Sequence, residues 1–245
     1  MIRLTTDEHL ARLRAEGVRL GEVAAETPPH ARVPGCPGWD VDALIRHIGD
    51  IHRWAATIVR RRVTERLSLD FPGPDDHDAL LAWYGEGHAG LLDALASSNP
   101  EETFWTWGPA PDPQAFWARR QSHETAIHRL DAEQAAGTPT PIPAPAAADG
   151  IDELLTLLSV SRRCSVADGG DRRLHLACTD TPGEWQVQLG AQRLSIRTDA
   201  DDCDCSVRGP ASDLFALVMN RGDDACLQVS GDRDVLRAWR ESAKF

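Results

Sequence analysis

A run of alternating prolines divides the chain into two parts. Residues 138–148 read Thr-Pro-Thr-Pro-Ile-Pro-Ala-Pro-Ala-Ala-Ala. This composition favours an extended, semi-rigid segment without a core of its own. With 245 residues, the chain is long enough for two modest domains. The sequence therefore predicts one domain over residues 1–137, a linker over residues 138–148 and a second, smaller domain over residues 149–245.

The first predicted domain is helical. Apolar residues recur with the helical period in four segments, at about residues 6–26, 44–58, 76–97 and 114–136. Asp40 precedes the second segment and fits an N-cap, and residues 33–39 before it form a loop rich in Pro and Gly. Four helices of this length favour a bundle whose interior can host a site.

The second predicted domain mixes helices and strands. A helical segment over about residues 149–163 precedes three runs typical of hairpin-linked strands, at residues 174–178, 185–189 and 193–197. A fourth strand over 203–207, a helix over 210–220, a short strand over 226–229 and a helix over 231–242 follow. This order predicts an α+β domain, and places the whole chain in the α+β class.

The charge and the cysteines restrict the possible partners and the compartment. The chain has 26 Lys and Arg against 38 Asp and Glu, a net charge of −12, which disfavours nucleic acid as a partner. No apolar run is long enough to cross a membrane, and the acidic first 30 residues resemble no secretory signal. The six cysteines form no C-x-x-C pair and are typical of small core residues in a reducing cytosol. We therefore expect a cytoplasmic protein that does not bind membranes.

The fourth predicted helix carries the residues best suited to chemistry. His123-Glu124 begins like a zincin motif, but that motif needs a second histidine at position 127, which is Ile. Glu124 and His128 are four residues apart and therefore share a helix face. A carboxylate and an imidazole in this arrangement can bind one metal ion, and Asp131 could hold the other ring nitrogen of His128.

A third ligand must come from another helix. His47 is the best candidate, because it lies on or near the apolar stripe of the second predicted helix, and Gly49 would let a facing helix approach closely. His52 lies five residues on, about 140° around the helix. Two simpler interpretations stay open: His47 as a hydrogen-bonded core histidine, and Glu124 with His128 as an exposed helix pair.

Two segments resemble a known family. They are Cys36-Pro37-Gly38-Trp39 with the following stretch from Asp42 to Trp54, and the stretch from Arg120 to Glu133. Both are similar to signatures of the mycothiol-dependent maleylpyruvate isomerases, which belong to the DinB-like metal-binding four-helix bundles found mainly in actinobacteria. The linker and the second domain fit two-domain members, whose C-terminal domain resembles sterol carrier proteins.

The resemblance assigns roles to particular residues. It implies that His47, Glu124 and His128 are metal ligands and that the metal is zinc or another divalent cation. Three protein ligands leave a fourth position for water or a thiolate. The family also uses an arginine of the C-terminal domain to hold an anionic substrate, and Arg221 matches that position loosely; a charge at a helix C-terminus is the alternative role. His52 or His123 could move protons near the metal.

The implied chemistry is that of a metal-activated thiol. The thiolate of mycothiol, a low-molecular-weight cofactor, would attack a small electrophilic substrate, in an isomerase or a thiol S-transferase. With maleylpyruvate, addition to the cis double bond, rotation and elimination would give fumarylpyruvate. Such a substrate is a dianion, so an acidic protein needs an arginine in its cleft.

Two other functions remain compatible with the sequence. One is a metal-dependent hydrolase or lyase that uses zinc-bound water. The other is a non-enzymatic module in which the metal stabilises the bundle and the second domain binds a ligand or partner. The tryptophans at 105, 107 and 117 could line a pocket, pack the bundle or cover an interface, and core packing is the simplest expectation.

Overall fold

The computed structural model describes residues 3–68, 70–108, 110–160, 172–190, 194–197 and 202–242. Contacts within the chain divide it into two compact units. The helical unit spans Thr5–Thr140, and the α+β unit comprises Met1–Leu4 with Pro141–Phe245. The short N-terminal stretch, which the sequence grouped with the helices, joins the α+β unit, where the Leu4 amide donates to Asp149 Oδ2 at 3.1 Å.

The helical unit contains the four helices that the sequence predicts. They are α1 (Thr6–Glu26), α2 (Val41–Arg61), α3 (His77–Ala96) and α4 (Pro113–Ala136). Each begins at a capping side chain, because the first N–H groups of a helix have no partner within it. Thr5 forms a capping box with Glu8, and the aspartates at 40, 76 and 112 each accept a backbone N–H three residues on.

Contacts between the helices fix their directions. The Tyr84 hydroxyl donates a hydrogen bond to the Gly17 carbonyl, and His88 forms one with the Leu13 carbonyl. The later residue of α3 contacts the earlier residue of α1, so the two helices are antiparallel. Arg53 and Arg60 of α2 reach the carbonyls of Trp83 and Gly90, so α2 and α3 are parallel. Helices α1 and α4 are parallel as well, since Glu16 pairs with Arg129 and Arg19 with Glu133. Helices α2 and α4 are therefore antiparallel.

A buried ion network joins α4 to α1. Arg129 is 3% exposed and donates to Glu16 at 2.7 Å, to Glu133 at 2.8 Å and to the carbonyl of Thr140 at 2.7 Å. Glu133, with no exposed surface, also accepts from Arg19. Removing one partner from such a network leaves a buried charge uncompensated, at a cost of about 3–5 kcal/mol. The network therefore fixes the turn of α4 that follows His128.

The α+β unit is built on one five-stranded sheet. Its helices are α5 (Ala144–Val160), α6 (Ala211–Val218) and α7 (Arg233–Ser242), and its strands are β1 (Arg172–Cys178), β2 (Glu184–Leu189), β3 (Leu194–Arg197), β4 (Cys205–Gly209) and β5 (Gln228–Gly231). The strand order is β3-β2-β1-β4-β5, with β1 and β4 parallel and the other neighbours antiparallel. Alternate residues of β2 are buried, as a half-buried strand requires. The predicted α+β class is confirmed.

The predicted linker is wrong in its second half. Helix α5 begins at Ala144, and Ala146, Ala147 and Ala148 are buried. Alanine is the strongest helix former, and a proline within the first turn costs no hydrogen bond, so this segment continues as helix. Arg193 and residues 161–163, which the sequence placed in a strand and in this helix, lie outside the described residues.

The structure also bears on the expectations for the cysteines and for membrane crossing. No disulfide joins the described cysteines at positions 36, 178, 203, 205 and 226. Cys36 and Cys205 are buried and Cys226 is exposed, so the expectation of core cysteines holds only in part. Cys164 lies outside the described residues. Among the helices that the structure describes, none combines the length and apolar character needed to cross a bilayer.

Gly49 allows the close approach of α3 that the sequence predicts. A Cβ at this position would lie 2.2 Å from the ring of Trp83, which also packs against the Arg53 guanidinium at 3.9 Å. We expect Gly49→Val to lower the free energy of unfolding by about 1–3 kcal/mol, because the Trp83 ring must shift and its packing against Arg53 is disturbed. Urea denaturation measures the change. Gly85→Ala is the control, since a Cβ there meets nothing within 4 Å; unchanged stability of Gly49→Val would contradict the packing.

Candidate metal centre

The structure brings His47, Glu124 and His128 together. One ligand atom of each lies within 4.8 Å of the other two. Glu124 Oε1 is 3.6 Å from His47 Nε2 and 3.3 Å from His128 Nε2. Because α2 and α4 are antiparallel and adjacent, the inward face of α2 presents its histidine to the Glu124–His128 pair of α4. The predicted juxtaposition is present.

The cluster is open on one side. The side chain of His47 is 33% exposed and that of Glu124 is 22% exposed, whereas His128 is only 5% exposed. Trp39, from the loop before α2, covers both histidines, with ring centroids 4.8 Å from His47 and 6.2 Å from His128. The three residues are therefore partly sheltered, and His47 and Glu124 remain partly accessible to solvent.

A buried carboxylate holds His128 from behind. His128 Nδ1 donates to Asp131 Oδ2 at 2.9 Å, and the thiol of Cys36 donates to the same oxygen at 3.3 Å. Asp131 has no exposed surface. Burial alone would lower the pKa of His128, but hydrogen bonding with Asp131, Cys36 and Glu124 raises that pKa well above its ordinary value. A proton fixed on Nδ1 leaves Nε2 as the nitrogen that points to Glu124.

A buried arginine holds Glu124. Arg120 donates to Glu124 Oε2 at 3.1 Å, which leaves Oε1 for the two histidines. Burial would raise the pKa of Glu124, but hydrogen bonds from His128 and His47 and the charge of Arg120 lower the pKa well below the usual range. Glu124 is therefore an ionised carboxylate at neutral pH.

These residues fit a divalent transition metal. Two imidazole nitrogens and one carboxylate oxygen form a donor set found at catalytic zinc sites, where metal–ligand bonds are about 2.0–2.2 Å. Tetrahedral geometry with such bonds separates neighbouring ligand atoms by about 3.3 Å. The separations of 3.3 and 3.6 Å from Glu124 are close to this value. The hydrogen bond from His128 to Asp131 is the outer contact typical of metal-binding histidines.

His52 lies in the bundle interior. Its side chain is fully buried, and Nε2 forms a hydrogen bond with Thr125 Oγ1 at 2.9 Å. Its ring packs 5.8 Å from Tyr84 and 5.5 Å from His88, between centroids. His123, the other candidate for proton transfer, faces α1, where its ring contacts His9. A role of either histidine in moving protons stays a prediction.

Arg221 belongs to the α+β unit. It follows α6, and its guanidinium donates to the Met219 carbonyl at 2.8 Å. This contact satisfies a carbonyl at the end of a helix, which is the alternative role that the sequence left open. The binding of an anionic substrate by Arg221 stays a prediction.

The sequence missed three contributors to this site. Arg120 could have been found, because it lies four residues before Glu124 on the same helix. Cys36 and Trp39 come from the loop before α2, and no local spacing connects them to residues almost a hundred positions later.

Of the tryptophans, Trp117 is fully buried against Trp54 at 5.2 Å and packs the core, whereas Trp107 is 41% exposed.

Family comparisons match both parts of the chain. Residues 10–133 match the family described as the mycothiol maleylpyruvate isomerase N-terminal domain. The chain belongs to this family. Residues 145–238 match the "MDMPI C-terminal domain" of the same family. The protein is thus a member of an isomerase-like enzyme family, and the two matches lie on the two units. No curated protein matches the sequence.

Solved structures share the fold. Crystal structures of a mycothiol-dependent maleylpyruvate isomerase and of a histidine-to-alanine mutant of it each superpose with a TM-score of 0.65 at 15% identity, covering 93% of this chain and 93% of theirs. A UbiJ-SCP2 ubiquinone synthesis protein matches 40% of this chain and 94% of its own length at 22% identity, with a TM-score of 0.31.

The burial of His52 predicts a pH-dependent stability. Burial lowers the pKa of His52 well below that of a free histidine, about 6.5. Below pH 6.5 the unfolded chain therefore gains a proton that the folded protein excludes, and stability falls. Between pH 7.5 and 5.5, we expect metal-free wild type to lose about 1.4 kcal/mol more unfolding free energy than His52→Gln. The exposed His30→Gln is the control, and equal losses in wild type and His52→Gln would refute the effect.

Proposed function

We propose that the protein is a zinc-dependent and mycothiol-dependent isomerase or thiol S-transferase that acts on a small electrophile. The observation that carries the proposal is the convergence of His47, Glu124 and His128 on a partly exposed position, with the outer atoms of Glu124 and His128 held by other side chains. An open site with three protein ligands is typical of catalytic zinc, whereas structural zinc is enclosed by four. The family match supplies the thiol and the reaction class.

Each residue of the chain has a distinct task in this proposal. The two histidines present Nε2 to the metal, and Asp131 keeps the proton of His128 on the opposite nitrogen. Glu124 supplies a negative charge, and Arg120 directs its second oxygen away from the site. Trp39 shields the two imidazoles from water on one side. A bound zinc ion lowers the pKa of a coordinated thiol, so that the thiol is held as a thiolate at neutral pH.

The substrate in this proposal is a small, electron-poor alkene. A thiol with a pKa of about 8.5 is mostly protonated at neutral pH and attacks such a double bond slowly. Held as a thiolate beside His47, Glu124 and His128, the cofactor would supply reversible nucleophilic addition to a cis double bond, which would permit isomerisation to the trans form. A maleylpyruvate-like substrate is a dianion, and the net charge of −12 repels it. We propose Arg221 as the group that binds its carboxylate.

The thiol requirement separates this proposal from metal-dependent hydrolysis. Turnover that proceeds equally fast with and without mycothiol would favour a zinc-bound water as the nucleophile. A His128→Ala variant that loses its metal and keeps full function in the cell would favour the non-enzymatic module.

The metal ligands can be tested one at a time. We expect about one zinc ion per purified wild-type chain, and weak or absent binding in His47→Ala, Glu124→Ala and His128→Ala, because each removes one of three donors. Elemental analysis and competition with a chromophoric chelator measure content and affinity. His77→Ala is a matched control, since His77 bonds Asp42 outside the cluster. Full metal content in Glu124→Ala would contradict the three-ligand arrangement.

A further inference from the structure

One buried polar atom near the metal cluster has no protein partner. Gln121 is 1% exposed, and its Oε1 has no hydrogen-bond partner among the described residues. Buried side-chain oxygens in folded proteins are nearly always bonded to protein, ordered water or a ligand. The amide of Gln121 therefore requires a donor that the rest of the described chain does not provide.

The position of Gln121 relates it to the metal cluster. It lies one turn before Glu124 on α4, and positions 117, 124 and 128 all lie within about 60° of it around the helix. Along this face, the candidate metal ligands Glu124 and His128 follow Gln121, and Trp117 precedes it. Trp117 packs against Trp54 of α2, with ring centroids 5.2 Å apart. Gln121 thus occupies the layer between the metal ligands and the aromatic pair.

A second buried atom without a partner lies in the same layer. His52 Nε2 bonds Thr125 Oγ1, but His52 Nδ1 has no hydrogen-bond partner in the part of the chain that the structure describes. Thr125 follows Gln121 by four residues, so the two side chains are neighbours on α4. Two unsatisfied polar atoms on facing helices indicate that this layer receives a polar group from outside.

We propose that Gln121 accepts a hydrogen bond from the amide N–H of an N-acylated cysteine whose sulfur is bound at the metal cluster. The inference rests on the proposed function and extends it to a residue that recognises the thiol. In such a ligand the nitrogen is three bonds from the sulfur. Extended by a hydrogen bond of about 2.9 Å, this reach is long enough to span one helical turn, about 5 Å along the axis, between Gln121 and Glu124. Mycothiol, whose thiol belongs to an N-acylated cysteine, is a ligand of this class.

A matched pair of thiols isolates the proposed hydrogen bond. N-acetylcysteine and 3-mercaptopropionate differ only in the acylamino group. Titration of each into the cobalt-substituted protein reports thiol binding through a sulfur-to-cobalt charge-transfer band, without any turnover. The variants are Gln121→Leu, which removes the acceptor, and Gln121→Glu, which retains one. Ser122→Ala is the matched control, because this neighbouring buried side chain points about 100° away on α4.

The expected result is a preference that depends on Gln121. Wild type, Gln121→Glu and Ser122→Ala should bind N-acetylcysteine up to about tenfold more tightly than 3-mercaptopropionate, since one net hydrogen bond accounts for a factor of this size. In Gln121→Leu the preference should disappear through weaker binding of N-acetylcysteine alone. Equal affinities in wild type, or an unchanged preference in Gln121→Leu, would overturn the inference and leave the proposed function intact. Absence of any thiol band in wild type would instead contradict the proposed function itself.

Discussion

Helix α4 is buried on almost every side and yet is rich in charged and polar residues. Its polar side chains must therefore find partners inside the bundle, because an unpaired buried charge is strongly destabilising. On the side of α1, Arg129 and Glu133 meet Glu16 and Arg19. On the side of α2, Glu124 meets His47. The same requirement that holds the bundle together thus assembles the candidate metal centre.

Buried side chains hold two of the three candidate ligands, and the third is partly exposed. His128 is fixed by Asp131, and Glu124 by Arg120, so the two α4 donors are oriented before any metal arrives. His47 on α2 is the most exposed of the three. Preorganised donors with one accessible side suit a site that exchanges a fourth ligand, such as water for a thiolate. Gln121, the buried amide one turn away, has its place in the same scheme because a bound ligand would complete its hydrogen bonding.

Local patterns in the sequence predicted much of this arrangement. Helical spacing predicted that Glu124 and His128 share a face, and the apolar stripe of α2 predicted that His47 points inward. Both predictions rest on the fixed period of 3.6 residues. Asp131 followed from the same spacing. Contacts that depend on chain direction could not be predicted from the sequence. The parallel packing of α1 with α4, and of β1 with β4, is set by tertiary contacts and not by periodicity. The contacts of Cys36 and Trp39 with α4 are likewise set by tertiary packing and could not be predicted from local spacing. Helix α5 begins inside the predicted linker because the alanines favour helix and a proline in the first turn does not oppose it.

The central claim is that a metal held by His47, Glu124 and His128 binds the sulfur of a thiol. X-ray absorption at the zinc edge of the wild-type protein, before and after addition of mycothiol, tests it most directly. We expect a shell of nitrogen and oxygen neighbours at about 2.0–2.1 Å without thiol, and one additional sulfur neighbour at about 2.3 Å with thiol. A spectrum that mycothiol leaves unchanged would show that the thiol does not bind this metal.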